Sequence, residues 1–174
     1  MIIKFSFLLF VKLVISVETD LPTTTNSTND HSYHEVSEVV LCRGCGNEVT
    51  FSSRLIRKIS QSSHYSYYDS VFNLDEVLIQ VLMSDFFLPI PLITTSYSNC
   101  LGISEWEVAD SWYPGYRWKP CVCPDCGALV GWVFEPINPY FVDEPETFFG
   151  LILPSLVGES FVNSLAISPG IQSV

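Results

Sequence analysis

From residue 35 onward the chain alternates short apolar runs, rich in β-branched and aromatic residues, with breaks at Gly, Pro, Asn and Ser. Val36, Val39, Val40 and Leu41 read as a strand running straight into Cys42. Further strands are predicted at 48–52, 77–83, 92–97, 116–122, 129–134 and 148–153. No long stretch keeps a helical period, although 74–83 also fits a short helix. The pattern predicts an all-β domain over 35–160, built as two small antiparallel sheets, with a tail at 161–174. Beyond two Cys-x-x-Cys elements there is no internal repeat.

The first 34 residues follow a different pattern. Residues 1–17 open as Met1-Ile2-Ile3-Lys4, continue as an apolar stretch from Phe5 to Phe10 and from Leu13 to Ile15, and end on Ser16 and Val17. This is the shape of a secretory signal peptide cleaved near Ser16 or Val17. An uncleaved membrane anchor is the alternative, but Lys12 interrupts a run already too short for a span. Residues 18–34 are mostly Thr, Asn, Ser and Asp, too polar to pack, and predict a flexible stem. Asn26-Ser27-Thr28 within it is an N-glycosylation sequon, which fits a secreted, extracellular glycoprotein with no stable membrane insertion.

The 174 residues carry a formal charge of -11, and loss of the leader removes Lys4 and Lys12 but no acid, leaving about -13. Such a surface repels phosphate backbones and anionic headgroups, which argues against nucleic acid as a partner. A neutral or cationic ligand suits it better. Asp143, Glu144 and Glu146 read as a solvated loop.

Cys42-Arg43-Gly44-Cys45 and Cys123-Pro124-Asp125-Cys126 present the same chemistry twice. Two residues between cysteines let both sulfurs of a tight turn face one ion, and Gly44, Gly46 and Gly127 stand where each chain must bend. Four thiolates close a tetrahedral site, so the predicted cofactor is one structural Zn²⁺ with no open position for catalysis. A disulfide framework suits export but rarely uses two such turns across a long β segment. A thioredoxin-like motif needs a single pair in a βαβ setting, and an iron–sulfur cluster suits an oxidising lumen poorly. Cys100 and Cys121 remain, either as buried small side chains or, with Cα atoms within ~7 Å, as a disulfide. The three His, at 31, 34 and 64, lie far along the chain from both, which leaves a catalytic thiol without an evident base.

Aromatic residues gather around the second Cys pair. In Asp110-Ser111-Trp112-Tyr113-Pro114-Gly115-Tyr116-Arg117-Trp118, Pro114 and Gly115 fit the centre of a type II turn that brings Trp112 and Trp118 back together. Trp132 and Phe134 share one face of a strand. Three indoles and a phenyl can therefore converge, as a core, an interface or a binding cage.

The series Cys-Arg-x-Cys, Ser-Trp-aromatic-Pro-Gly-Tyr-x-Trp, Cys-x-x-Cys-x-x-x-x-Gly-Trp-x-Phe and Phe-x-Gly-Leu resembles the CULT domain family, typified by the thalidomide-binding domain of cereblon. The resemblance runs from about Val39 to Leu156. It implies a β-tent-like domain in which Cys42, Cys45, Cys123 and Cys126 bind zinc. It further implies a cage of Trp112, Trp118 and Trp132, backed by Phe134, around a cyclic imide of the glutarimide or succinimide type. The cyclised Asn or Gln ends of damaged proteins carry such rings. Aromatic walls suit a flat neutral ring, and the backbone of Asp110, Ser111 and Trp112 can pair with its N–H and carbonyls. The same walls would also suit a small cation. Asp110 stands where cereblon has His, and the covering loop near 85–91 does not align. The chain has no segment matching the other cereblon domains, so the expectation is a secreted, single-domain binding module, neither an enzyme nor a ubiquitin-ligase receptor. The rival functions are a reductase of the related methionine sulfoxide reductase B type, using Cys100, and a plain protein-interaction domain.

Overall fold

A computed structural model describes residues 37–141 and 146–166. The leader, the stem with Asn26, Val36, Asp143, Glu144 and the tail beyond 166 lie outside the described residues. Eleven strands and one α-helix are described, besides three short 3-10 turns: β1 (Val39–Cys42), β2 (Glu48–Phe51), β3 (Leu55–Ile56), β4 (Tyr65–Val71), β5 (Leu74–Met83), β6 (Pro89–Thr95), β7 (Leu101–Gly102), β8 (Tyr116–Val122), β9 (Leu129–Pro136), β10 (Phe148–Ile152), β11 (Leu156–Gly158) and α1 (Glu159–Ala166). No helix among the described residues is long and apolar enough to cross a membrane.

The strands form two antiparallel sheets. The smaller has the order β11-β1-β2, and the larger runs β4-β5-β6-β10-β9-β8-β7, with β3 also paired to β6. Residues 74–83 form a ten-residue strand, which excludes the helical alternative. Its stretch from Val77 to Leu82 is buried throughout, as expected of a strand covered on both faces. Tyr65–Val71, which shows no apolar alternation, adds a largely exposed edge strand beside it.

Val40, Val49 and Leu156 of the small sheet meet Ile79, Ile93, Val130 and Leu151 of the large one in a single cluster. Tyr113, Tyr116, Phe134 and Phe148 form a separate aromatic cluster, onto which Trp112, Trp118 and Trp132 pack. Its rings meet edge to face, with Tyr113 4.8 Å from Phe134 and 4.9 Å from Phe148, while Phe134 stacks on Phe148 at 5.0 Å. β9 and β10 approach closely beside it: a Cβ on Gly131 would collide with the Gly150 backbone, so only glycine fits there.

Helix α1 begins inside the nominal end of the domain and runs past residue 160. The buried Glu38 carboxylate accepts hydrogen bonds from the N–H and the hydroxyl of Ser160, which anchors this helix to the small sheet.

Candidate functional site

Each Cys pair occupies the turn of a hairpin, the first between β1 and β2, the second between β8 and β9. The two turns repeat one hydrogen-bond pattern. Cys42 N–H donates to Asn47 C=O and Gly46 N–H to Cys42 C=O, both at 2.8 Å, while Cys123 N–H donates to Ala128 C=O at 2.8 Å and Gly127 N–H to Cys123 C=O at 2.9 Å. Gly46 and Gly127 take φ of +80° and +71°, the left-handed bend that glycine accepts without strain. Gly44 does not have a positive φ, and Asp125 fills the matching place in the second turn, so the sharp bend does not depend on Gly44.

The two turns meet. All four Sγ atoms lie within 4.8 Å of one another. Cys42 Sγ is 3.7 Å from Cys126 Sγ, and Cys45 Sγ is 3.5 Å from Cys123 Sγ. A tetrahedron with metal–sulfur bonds of about 2.3 Å has sulfurs roughly 3.8 Å apart, so the cluster is already spaced to hold one metal ion. Burial pushes the Cys42 thiol up, against the N–H groups of Gly44 and Cys45, which favour its thiolate. Burial acts on Cys123 as well, but the N–H groups of Cys126 and Asp125 and the thiols of Cys45 and Cys126 bring it down to about 7. The Asn47 N–H favours the Cys45 thiolate; desolvation and the three neighbouring sulfurs outweigh it and push that thiol up to about 12. Four negative charges do not coexist here unaided, and a divalent cation removes the conflict.

Cys100 and Cys121 form a disulfide with Cα atoms 5.6 Å apart, pinning the start of β7 to β8. All six cysteines are thereby assigned, and no free thiol stands outside the four-sulfur cluster. A reductase using Cys100 loses its nucleophile.

The second hairpin also carries the aromatic residues. Trp118 on β8 pairs with Phe134 on β9, and Pro120 pairs with Trp132, which puts all four on one face. Pro114 and Gly115 make the expected turn, closed by Tyr116 N–H to Tyr113 C=O at 3.1 Å with Gly115 at φ +88°. That turn returns Trp112 to the same place, its ring centroid 4.8 Å from that of Trp132, edge to face. Trp112, Trp118, Trp132, Phe134 and Asp110 line one cavity of about 360 Å³, within the usual range for small-molecule sites. Phe134 is only 1% exposed and belongs equally to the aromatic core. Ser111 does not line the cavity. Its hydroxyl donates to Tyr113 C=O at 3.0 Å and accepts from Tyr113 N–H, shaping the loop that delivers Trp112.

Backbone groups at the cavity edge are partly committed. Trp112 C=O accepts from Ser60 Oγ at 2.6 Å, and Ala109 C=O accepts from Trp118 Nε1 at 2.9 Å. Asp110 C=O and Trp112 N–H have no partner among the described residues. Behind the cage, the fully buried Gln80 accepts from Ser60 N–H at 2.6 Å and donates to Lys58 C=O at 2.8 Å and to Tyr113 Oη at 3.3 Å.

Four further lining residues are not among the site residues named from the sequence, although Asp85 falls in the covering loop expected near 85–91. Ser84 and Asp85 come from the loop between β5 and β6, and Glu107 and Ala109 from the segment leading to Asp110. The first pair had a weak signal in the apolar, loop-bound run Phe86-Phe87-Leu88, whose side chains are exposed.

No protein-family model matches the chain. Curated proteins that it matches include cereblons. That of Drosophila willistoni is 26% identical over 140 residues, which are 80% of this chain and 19% of that protein. That of Drosophila melanogaster is 40% identical over 55 residues, 31% of this chain and 9% of the relative. For Drosophila grimshawi the identity is 44% over 41 residues, 24% and 6% of the two chains. Over four-fifths of its length the chain is therefore cereblon-like, while it spans less than a fifth of these relatives.

Proposed function

We propose that this domain is a non-enzymatic, zinc-stabilised binding module that holds a cyclic imide, of the glutarimide or succinimide type, in the cage of Trp112, Trp118 and Trp132. The observation that carries the reading is the 360 Å³ cavity walled by three indoles and Phe134. Indoles give a small flat ring a large contact area and are already ordered by packing on the aromatic core, so little entropy is lost on binding. Asp110 C=O and Trp112 N–H supply an acceptor and a donor two residues apart, the complement of an imide N–H and one of its carbonyls. Cyclised Asn or Gln ends of damaged proteins are the natural source of such rings.

Zinc is the metal that best suits four thiolates in a closed tetrahedron without redox chemistry. The leader at 1–17 and the Cys100–Cys121 disulfide both support secretion, since disulfides persist in oxidising compartments. Titration calorimetry with a soluble glutarimide, read alongside indole fluorescence, tests the function. Heat and quenching are expected, both abolished by Trp132→Ala. Absence of both signals at millimolar ligand would overturn the reading.

A further inference from the structure

Three carboxylates, those of Asp85, Glu107 and Asp110, line the same cavity as the indoles, and among the described residues no Lys, Arg or His lines it. None of the three has an ion pair or a side-chain hydrogen bond among the described residues, whereas Glu135 and Glu76 pair with Arg117 and Arg57. The cations nearest in the chain are turned away by strand alternation. Trp118 faces the cavity, and its neighbours Arg117 and Lys119 lie over the Trp106 ring at 4.9 and 4.4 Å. Lys58 Nζ lies over Tyr116 at 5.0 Å. Among the described residues Arg57, Lys58, Arg117 and Lys119 thus sit on aromatic faces away from the cavity, and the carboxylates at the rim of the apolar cage have no cationic partner.

A neutral ring alone makes no use of that rim. We infer that the pocket selects cyclic imides carrying a positive charge within a side chain's length of the ring, as at the cyclised end of a peptide with Lys or Arg beside it. The inference rests on the imide reading of the cage. The ring occupies the indole walls, and the adjoining ammonium or guanidinium sits among Asp85 on one wall and Glu107 and Asp110 on the other. These carboxylates are solvent-exposed, so each contributes modestly and is screened by salt. Like charge beside the ring is repelled by the same three groups.

The test uses the acetyl-lysyl, acetyl-alanyl and acetyl-glutamyl amides of 3-aminoglutarimide, titrated into the full chain at low salt and in 1 M NaCl. The lysyl probe is expected to bind about five- to tenfold tighter than the alanyl probe at low salt, and the glutamyl probe weaker by a similar factor, with the spread shrinking to within about twofold in 1 M salt. The Asp85→Asn/Glu107→Gln double variant should bring the three affinities together. Equal binding of all three probes to the parent protein overturns the charge selection and leaves the imide reading standing. Binding of none overturns both. Competitive displacement of the alanyl probe by tetramethylammonium would show that the cage holds the cation itself, which also overturns the inference.

Discussion

Glu107 and Trp118 exchange both backbone hydrogen bonds at 2.8 Å, so the segment that leads to Asp110 is laid along β8 as a short extra rung. The indole of Trp118 tightens this by donating to Ala109 C=O. On the other side, Trp106 lies under both Arg117 and Lys119. Trp106 therefore fastens the wall from outside while Trp118 forms it from inside. Trp106→Ala removes two cation–π contacts, about 1–2 kcal/mol together, and frees residues 105–110. Imide affinity should fall about fivefold with a Tm loss of only a few degrees, and Trp106→Phe should recover most of both. Unchanged calorimetric affinity in the Ala variant would show that the bridge alone holds the wall.

The four-sulfur cluster brings the tip of the β1–β2 hairpin to the tip of the β8–β9 hairpin, so a metal ion bound there would tie one sheet to the other at the end of the strands that bear Trp118 and Trp132. Protons compete with the metal for the same sulfurs, so affinity must fall as pH falls. Cys123, brought down to about 7, keeps its thiolate longest on acidification, and Cys45, pushed up to about 12, accepts a proton first in the metal-free protein. One zinc per chain is expected by mass spectrometry at pH 7.5, released on acidification with loss of the near-ultraviolet Trp dichroism. A chain that retains that signal after exhaustive chelation would show that packing alone holds the cage.

The Cys100–Cys121 link closes a loop of 21 residues' separation that contains Trp106, Asp110 and Trp112. Closing a loop of this size stabilises by about 3 kcal/mol through the unfolded chain, roughly 10 °C in Tm for a domain of this length. The Cys100→Ala/Cys121→Ala variant should melt lower by that amount while keeping its metal, since neither residue belongs to the four-sulfur cluster. A shift below about 2 °C would contradict the entropic account.

How much of this was legible in the chain follows burial. The seven strands expected from β-branched and aromatic runs are present with shifted ends, because those side chains fill the two cores. β4 was illegible: Tyr-Ser-Tyr-Tyr-Asp-Ser is exposed on both faces and owes its form to backbone pairing with β5, which leaves no apolar period. Helix α1 buries none of its side chains and is fixed instead by Glu38, 122 positions away. At the candidate site, the Cys pairs and Trp residues announce themselves by spacing. Glu107 does not, because it reaches the cavity through a bridge to Trp118, and Asp85 is indicated only by the covering loop that the family resemblance puts near 85–91. Tertiary pairing of that kind has no local signature.

Gln80 is the clearest case of a supporting residue hidden in an apolar strand. Its amide answers Ser60 N–H, Lys58 C=O and Tyr113 Oη at once, and Ser60 in turn holds Trp112 C=O. Gln80→Leu preserves most of the volume but withdraws those partners, and each buried group stranded costs about 1–3 kcal/mol. A loss of roughly 2–5 kcal/mol in urea unfolding is expected, with the Trp112 loop loosened and imide binding weakened in step. Ser60→Ala should weaken binding too, and the double variant should lose less than the sum, because both act along one chain of hydrogen bonds. Burial also pushes the Tyr113 phenol up, so the folded protein keeps this proton where an unfolded tyrosine, at about 10, gives it up. A group raised on folding contributes stability that is complete below the unfolded value and lost as pH rises past it. Stability should therefore decline above about pH 10 in the parent, and less so in Tyr113→Phe. Strict additivity of the Gln80 and Ser60 variants, or a Gln80→Leu protein as stable as the parent, would break the proposed line from Gln80 to the cage.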